Sequence, residues 1–496
     1  MKMDFKKIAI LGCVLWTLIF AAKVGASPWI ESGDTRLRHH ITLLADAGII
    51  TVPINTWPLM WSAVIKDVKR GESRKNLSKV EQHSLNYIRD AFTQQTQPSR
   101  AALSFSASER PNQLRGFSNV PREEAELSAS YEAMQGGTAY KLQATYAGDP
   151  SDQDNVRLDG SYAALLIGNW ALAAGAIDRW WGPSRQNALV LSNNARPVPG
   201  LFLQRNNSHA FDNPLLSWMG PWSLVMFAGQ LESDRFVEHA KLLGARFSVR
   251  PADWLELGAS RTAQWGGEGR PQDFSSFVDV VTGNDNTGDG GITRDNEPSN
   301  QLAGIDWRAS ASFDETSYEF YGDVVGDDNA GVMPSRLIAT FGLGTQMPIA
   351  STDVRVYLEY TDTQTRRFYK AGQPNYAYEH GTYRSGYRYK DRNIAATIDG
   401  DSKSTSLGVE IYTRSDAALQ IVLSKLDFNS DGTSKAVGVS RLADRNGEGW
   451  QAKVNYIENW KNWGFGYGLY YQGGDFELRN MGQDTAGVDF SASLGF

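Results

Sequence analysis

Val488-Asp489-Phe490-Ser491-Ala492-Ser493-Leu494-Gly495-Phe496 closes the chain, and its apolar and polar residues alternate with period two. Successive side chains of a strand point to opposite faces, so this stretch predicts a strand with one apolar and one polar side. The same period recurs upstream. It is present in Leu103/Phe105/Ala107, in Tyr140/Leu142/Ala144/Tyr146, in Leu243/Ala245/Phe247/Val249 and in Ile305/Trp307/Ala309/Ala311/Phe313. It returns in Val354/Val356/Leu358/Tyr360 and Leu407/Val409/Ile411. Trp450/Ala452/Val454/Tyr456 and Phe465/Tyr467/Leu469/Tyr471 flank a short turn at Glu458–Trp463 and read as a hairpin.

A secreted sandwich also alternates, so the period alone does not put these strands in a membrane. Three features favour a bilayer. Aromatic residues such as Trp450, Tyr456 and Tyr471 sit near strand ends, where an interfacial girdle needs amphipathic rings. The opposite face carries Gly, Ser, Arg and Glu, which suit a wet lumen and make a poor sandwich core. The final strand ends in Phe496, which resembles the assembly signal of bacterial outer-membrane barrels and implies the barrel-assembly machinery as a partner. The reading is an all-β transmembrane barrel of about 16–18 antiparallel strands over residues 99–496, preceded by a small N-terminal α-helical bundle over 27–98.

That bundle is read from three helical patterns. Asp34 can cap a segment whose Leu37, Ile41 and Leu44 share a face and which Gly48 ends. Thr56 with Pro58 starts a second, carrying Leu59, Ile65 and Val68. A third begins at the capping box Ser78-Lys79-Val80-Glu81 and presents Tyr87, Ile88, Ala91 and Phe92 before Pro98. Ahead of them, Lys2, Lys6 and Lys7 precede the apolar run Ile8–Ala22, and Val24-Gly25-Ala26 supplies small residues before Ser27. Residues 1–26 are therefore expected to be a cleaved export signal. Cutting there removes four lysines and one aspartate, taking the formal charge from −7 to −10, and removes Cys13, the one cysteine among 496 residues. The exported chain can then use no disulfide, thiolate ligand or cysteine nucleophile. Its acidic balance, without Lys/Arg-rich blocks, excludes nucleic acid as a main partner. No later apolar run reaches the length of a spanning helix.

Three long segments interrupt the alternation and are the places to look for function. Asp178–Trp222 contains Arg179-Trp180-Trp181-Gly182-Pro183, where paired tryptophans beside Arg and Asn can form a sugar platform or pack as girdle residues. Gln264–Gln301 opens with Trp265, Glu268 and Arg270 and continues with Phe274, Phe277, Val278 and Val281 at helical spacing, a short helix folded over or into the lumen. Its Asp285/Asp289 stretch has the composition of a calcium loop, but Thr287 and Asn296 stand at ligand positions, and an ordinary turn accounts for it. Arg366–Asn393 holds Arg366, Arg367, Lys370, Arg384, Arg388, Lys390 and Arg392 against Glu379 and Asp391, a local excess of +5. Tyr369, Tyr376, Tyr378, Tyr383, Tyr387 and Tyr389 are interleaved with them. Cations alternating with rings can hold an acidic polymer; they can equally line a basic lumen or touch lipid and lipopolysaccharide phosphates.

Catalytic patterns are weak. Six histidines are present, and only Ser208-His209 with Asp212 resembles hydrolase parts, although adjacent side chains on a strand point apart. No catalytic residue, metal or other cofactor is expected.

The chain resembles the Wzi family of outer-membrane proteins that attach capsular polysaccharide to the cell surface. The resemblance rests on Arg179–Pro183, on Gly200-Leu201-Phe202-Leu203-Gln204-Arg205, on Gly220-Pro221-Trp222 and most specifically on Leu257–Pro271. Ser275-Ser276-Phe277, Asn296–Gly304 and Thr56-Trp57-Pro58-Leu59 are similar too. It implies an 18-stranded barrel, a periplasmic helical bundle, outer loops that close the barrel, and a lectin-like, non-enzymatic role in retaining capsule. Trp180, Trp181, Trp265, Glu268 and Arg270 are then expected to form a surface platform. Tyr383, Arg384, Tyr387, Arg388 and Arg392 are a local addition for an acidic polysaccharide. A monomer is expected, and the competing function is a porin-like diffusion channel for sugars or acidic oligomers.

Overall fold

The structure, a computed structural model, describes residues 27–284, 292–293, 295–327, 329–330, 333–334, 336–367, 370–438, 441–479 and 481–496. The export signal with Cys13, the Asp285/Asp289 stretch and Tyr369 lie outside the described residues.

Eighteen antiparallel strands close into one barrel among the described residues. β1 (Ser99–Ser108), β2 (Ala125–Gln135) and β3 (Thr138–Gly148) lead to β4 (Tyr162–Ile167), β5 (Trp170–Gly175) and β6 (Gly200–Arg205). β7 (Trp222–Gln230), β8 (Lys241–Ala252) and β9 (Leu255–Trp265) follow, then β10 (Ser299–Phe313), β11 (Thr316–Asp327) and β12 (Leu337–Ile349). β13 (Thr352–Arg367), β14 (Lys403–Thr413), β15 (Ala418–Phe428), β16 (Gly447–Trp460), β17 (Trp463–Gly474) and β18 (Thr485–Gly495) complete it. The terminal strand closes the wall on β1, with Leu494 opposite Leu103 and Phe490 opposite Ala107. The hairpin read from the sequence pairs Trp460 with Trp463 across Lys461-Asn462.

The apolar face points outward. Phe105, Ile305, Leu358, Leu469 and Val488 are exposed on the wall, whereas their polar neighbours turn into the lumen. With lipid as the solvent outside, the ordinary arrangement of a soluble protein is inverted, and closure leaves no strand edge unpaired. Outward rings mark both rims: Trp450 against Tyr471 at 5.2 Å on one, and Trp463 against Phe465 at 5.9 Å on the other. Most turns at one end are two to four residues long, and this is the periplasmic end; the connections at the other end are the outer loops.

Three helices occupy the mouth at the short-turn end: α1 (Thr35–Asp46), α2 (Trp61–Gly71) and α3 (Lys79–Gln95). Asp34 caps α1 by accepting from the Leu37 N–H at 3.0 Å. The capping box of α3 forms in full, with Ser78 N–H donating to Glu81 at 2.7 Å and Glu81 N–H to Ser78 Oγ at 3.2 Å. The second helix starts at Trp61 rather than beside Pro58, because Leu59–Met60 is drawn into a two-residue strand with Trp29–Ile30, just after Thr56–Trp57 pairs with Trp180–Trp181. α1 is buried nearly all round, including Arg38, His39 and His40. It is seated in the barrel: Arg38 donates to the carbonyls of Pro183 (2.7 Å) and Ser184 (2.9 Å), and the His39 ring stacks on Tyr412.

The fourth helix, α4 (Phe274–Thr282), corrects the expectation of a helix over or inside the lumen. It lies against the outward face of β9, where Arg261 donates to the carbonyls of Val280 (2.6 Å) and Val281 (2.8 Å). Arg261 and Trp265 share the outward register of exposed Leu257, so a helix tied to them cannot enter the lumen.

Candidate functional site

The outer loop 176–199 folds inward and meets the N-terminal segment inside the barrel. Trp180 pairs with Trp57 and Trp181 with Thr56 as a short antiparallel bridge. Trp180 Nε1–H donates to the Ser184 carbonyl at 3.0 Å, its ring meets Phe117, and Trp181 packs on Phe227. Both rings are fully buried, so the surface platform expected of them is instead an internal joint between loop and plug. Arg179-Trp180-Trp181 reads as a loop motif locally; a partner strand more than 120 positions earlier in the sequence, Thr56–Trp57, decides its place.

Carboxylates on the wall hold these inserts. Glu359 accepts the backbone N–H groups of Arg185 (2.6 Å), Gln186 (3.0 Å) and Asn187 (3.1 Å) and the Tyr321 hydroxyl (3.0 Å). Glu256 accepts those of Ile54 and Asn55, both at 2.9 Å. Arg185 lies 3.4 Å from Glu319 and 3.3 Å from Glu410, and Arg246 pairs with Asp306 at 2.5 Å. A polar lumen face thus serves as a set of fixed acceptors and donors for buried backbone. A polar cavity of about 610 Å³ remains along β1–β4 and β16–β18, lined by Ser104, Ser128, Gln143, Thr145 and Asp489.

The basic, Tyr-rich segment forms the outer cap, and among its described cations Arg388 and Lys390 are ion-paired and Arg392 is buried. Arg388 makes a two-point pair with Asp399 at 2.7 and 2.9 Å, and Arg441 lies 3.2 Å from Asp401 and 3.4 Å from Glu379. Lys390 reaches Asp154 at 2.6 Å. Burial works against the Asp399 charge, but Arg388 and Arg441 hold its carboxyl well below the usual range. Tyr383 donates to the carbonyls of Pro298 (2.6 Å) and Gly266 (3.1 Å), and Tyr387 to that of Val190 (3.0 Å). Tyr383, Tyr387, Arg388 and Arg392 are buried, contrary to a surface role, because Asp399 of the same loop pairs with Arg388 and carbonyls of other loops accept from the remaining three.

Asp401 carries a pH dependence. Burial pushes its carboxyl up to about 6 despite Arg441 and the Asn375 N–H at 2.7 Å. The unfolded value is about 3.9, so the folded cap binds this proton more tightly than the unfolded one. The associated stabilisation is full below about pH 4 and is lost as pH rises through about 6. The cap should resist limited proteolysis better at pH 5 than at pH 7, and Asp401→Asn should flatten that difference. A difference of the same size in the variant would assign it to another group.

What remains exposed is a patch where three outer loops meet. Phe236 is 47% exposed and lies under the exposed Arg384 guanidinium, 4.9 Å from ring centre to Cζ. Its N–H donates to Ser385 Oγ at 2.9 Å, which locks loop 231–240 to the cap. Glu268 N–H donates to the Glu238 carbonyl at 2.9 Å, and His239 Nδ1 is 3.5 Å from the Glu268 carboxylate. Glu238, His239 and Glu268 are close enough to hold one cation together. Arg270 donates to the Asp295 carbonyl at 3.0 Å. Glu268 and Arg384 are thus exposed and Arg270 half-buried, while Trp265 sits on the outward wall with its ring 5.5 Å from Phe277. Phe236, Glu238 and His239 were not singled out in the sequence; one aromatic in a short charged loop was the available signal. Of the hydrolase-like trio, His209 meets Lys66 at 3.2 Å at the periplasmic rim, away from this patch.

These features define a class: a transmembrane barrel whose lumen is occupied by its own N-terminal segment and outer loops, with a fused outer cap. The model of the capsule assembly protein Wzi matches residues 94–492, and the chain belongs to the Wzi family. Its structure is similar to that of Wzi from Escherichia coli, an outer membrane protein involved in group 1 capsule assembly and described as a carbohydrate-binding β-barrel. That similarity has a TM-score of 0.80 at 25% identity and covers 95% of this chain and 100% of the other. The chain is also 32% identical to a 55.8 kDa protein of the cps region of Klebsiella pneumoniae, over 70% of this chain and 69% of that one.

Proposed function

We propose that the protein is a non-enzymatic, lectin-like barrel that binds an exported capsular polysaccharide at its outer face and anchors it to the cell surface. The observation that carries this is the Phe236 ring left half-exposed beneath Arg384, with Glu268 and Arg270 on the adjoining loop. A ring offers its face to sugar C–H groups, and a guanidinium forks onto carboxylates or hydroxyls. The description of Escherichia coli Wzi as carbohydrate-binding supports the reading. The buried Trp180, Trp181, Tyr383, Tyr387, Arg388 and Arg392 then act by fixing the loops, and Trp265 by seating α4. The same reading has residues 1–26 removed on export, the bundle of 27–98 in the periplasm, Phe496 read by the barrel-assembly machinery, and a monomer in contact with membrane lipid and lipopolysaccharide.

The test is binding of purified protein to capsular polysaccharide from its own strain, with a neutral glucan as control and salt varied. Phe236→Ala and Arg384→Ala should each weaken binding about tenfold, the size expected of a central aromatic or arginine contact. Only the Arg384 effect should shrink at high salt, because its charge is screened there. Native affinity in both variants, with heat-modifiable folding intact, would move the site elsewhere.

A further inference from the structure

One stretch of barrel wall, β6–β10, carries apolar structure on its outside at both rims. At the periplasmic rim, the β6–β7 connection (206–221) is sixteen residues long where the other turns of that end have two to four. Residues 212–218 are all exposed, with Leu215 at 80% and Trp218 at 66%. The connection is folded, not loose: Leu215 N–H donates to Asn213 Oδ1 at 2.9 Å, and Ser217–Met219 forms a 3-10 turn. It leans on the outward face. Phe211 stacks on Trp222 at 4.5 Å, Trp222 packs on Phe247, and the Arg205 guanidinium covers the Trp222 ring at 3.5 Å. Trp222 and Arg205 share the outward register of exposed Met226 and Leu201. Gly220, at φ +66°, lets the loop return flush against Arg250 and Pro251 of β8, where a side chain would strike the Arg250 carbonyl.

At the outer rim, α4 is held on β9 by Arg261 and by Trp265, whose Nε1–H donates to Ser276 Oγ at 3.3 Å. It turns Phe274 (80% exposed), Val278 and Val281 away from the barrel. The two patches are separated by β9, which runs from Leu255 beside the periplasmic turn to Trp265. Ten residue steps of about 3.4 Å, tilted by about 40°, rise about 26 Å, close to the ~25 Å apolar band of outer-membrane barrels.

We propose that both patches are membrane-interface anchors: Leu215, Leu216 and Trp218 enter the acyl boundary of the periplasmic leaflet, and Phe274, Val278 and Val281 that of the outer leaflet. The occupant is lipid because both patches continue the outward apolar belt and stand one bilayer height apart on the same wall. Lys66, 3.2 Å from His209, supplies a cation at headgroup level on the periplasmic side. Clamped at two heights, this side of the barrel is fixed in depth, which holds the outer cap at a constant distance from the surface. The inference rests on the transmembrane reading of the barrel.

Single cysteines at Leu215 and Val278 in Cys13-free protein, labelled with an environment-sensitive fluorophore in nanodiscs holding one barrel, test it. Asp314→Cys in a periplasmic turn and Asp444→Cys in an outer loop are aqueous controls, and Leu469→Cys in mid-wall is the lipid control. Labels at 215 and 278 should be quenched by chain-brominated lipid and be about threefold less sensitive to aqueous iodide than the aqueous controls. Iodide sensitivity equal to those controls overturns the proposal; so does protection from iodide without quenching by brominated lipid, which points to protein cover. Failure at Leu469 as well would overturn the transmembrane reading itself, and success there alone would overturn only the anchors.

Discussion

Replacing Glu359 with alanine is expected to open the barrel. The side chain sits on β13 inside the lumen and accepts three consecutive backbone N–H groups of the inward loop, at Arg185, Gln186 and Asn187, together with the Tyr321 hydroxyl. Removing it leaves four donors without this acceptor, three of them buried, at about 1–3 kcal/mol for each buried one. The loop regains those bonds most simply by leaving the wall for water. In planar bilayers the native barrel should show little steady conductance, because loop 176–199 and the Thr56–Trp57 segment meet inside the lumen and leave a cavity of about 610 Å³ beside β1–β4. The variant should show large, fluctuating openings, about tenfold or more above native, as expected when a lumen of this strand number is cleared. Glu256→Ala, which unseats Ile54 and Asn55, should add to the effect. A folded Glu359→Ala barrel as quiet as the native one would show that Arg185 with Glu319 and Glu410 holds the loop alone, and a native barrel with steady high conductance would favour the diffusion-channel reading.

Arg388→Ala and Arg384→Ala should separate two roles that look alike in sequence. Arg388 is buried and donates to both oxygens of Asp399, so its loss leaves that carboxylate with the neutral donors of Asn393, Gly400 and Leu442 and the Arg441 field, a cost of about 1.5–3 kcal/mol for the lost charged hydrogen bond. Limited proteolysis should then cut within residues 370–402, and polymer retention should fall because the patch around Phe236 loses its support. Arg388→Lys should rescue in part, since one ammonium can meet Asp399 as Nη2 does but cannot also reach the Ser385 carbonyl as Nη1 does. Arg384 is exposed, and its alanine variant should lose polymer while the cap stays as protease-resistant as native. A native digestion pattern for Arg388→Ala would show that tyrosine contacts such as Tyr383 to Pro298 hold the cap without the ion pair.

The contrast between these arginines shows where sequence reading stops. The excess of +5 in residues 366–393 is real in the sequence, but Arg388 and Lys390 are taken up by Asp399 further along the same loop and by Asp154 of another. The paired tryptophans at 180 and 181 have the composition of a sugar platform, yet lie between Phe117, Phe227 and Thr56–Trp57. Conversely, Phe236 has no distinguishing neighbours in sequence and is exposed under a cation from residue 384.

The strands, their facing and the helix caps were determined by the sequence itself, since alternation with period two and the Asp34 and Ser78/Glu81 caps are local properties of the backbone. An apolar face seen by lipid and a polar face seen by the lumen follow directly from them. Tertiary structure alone decided which long-loop residues stay at the surface, where the 206–221 connection leans, and that the lumen is filled. Those outcomes depend on buried ion pairs and backbone acceptors contributed by residues more than 100 positions apart, such as Arg185 with Glu319 and Trp180 with Trp57. A pairing over that distance has no local period to reveal it, and burial energy assigns each side chain its partner only when the barrel has closed.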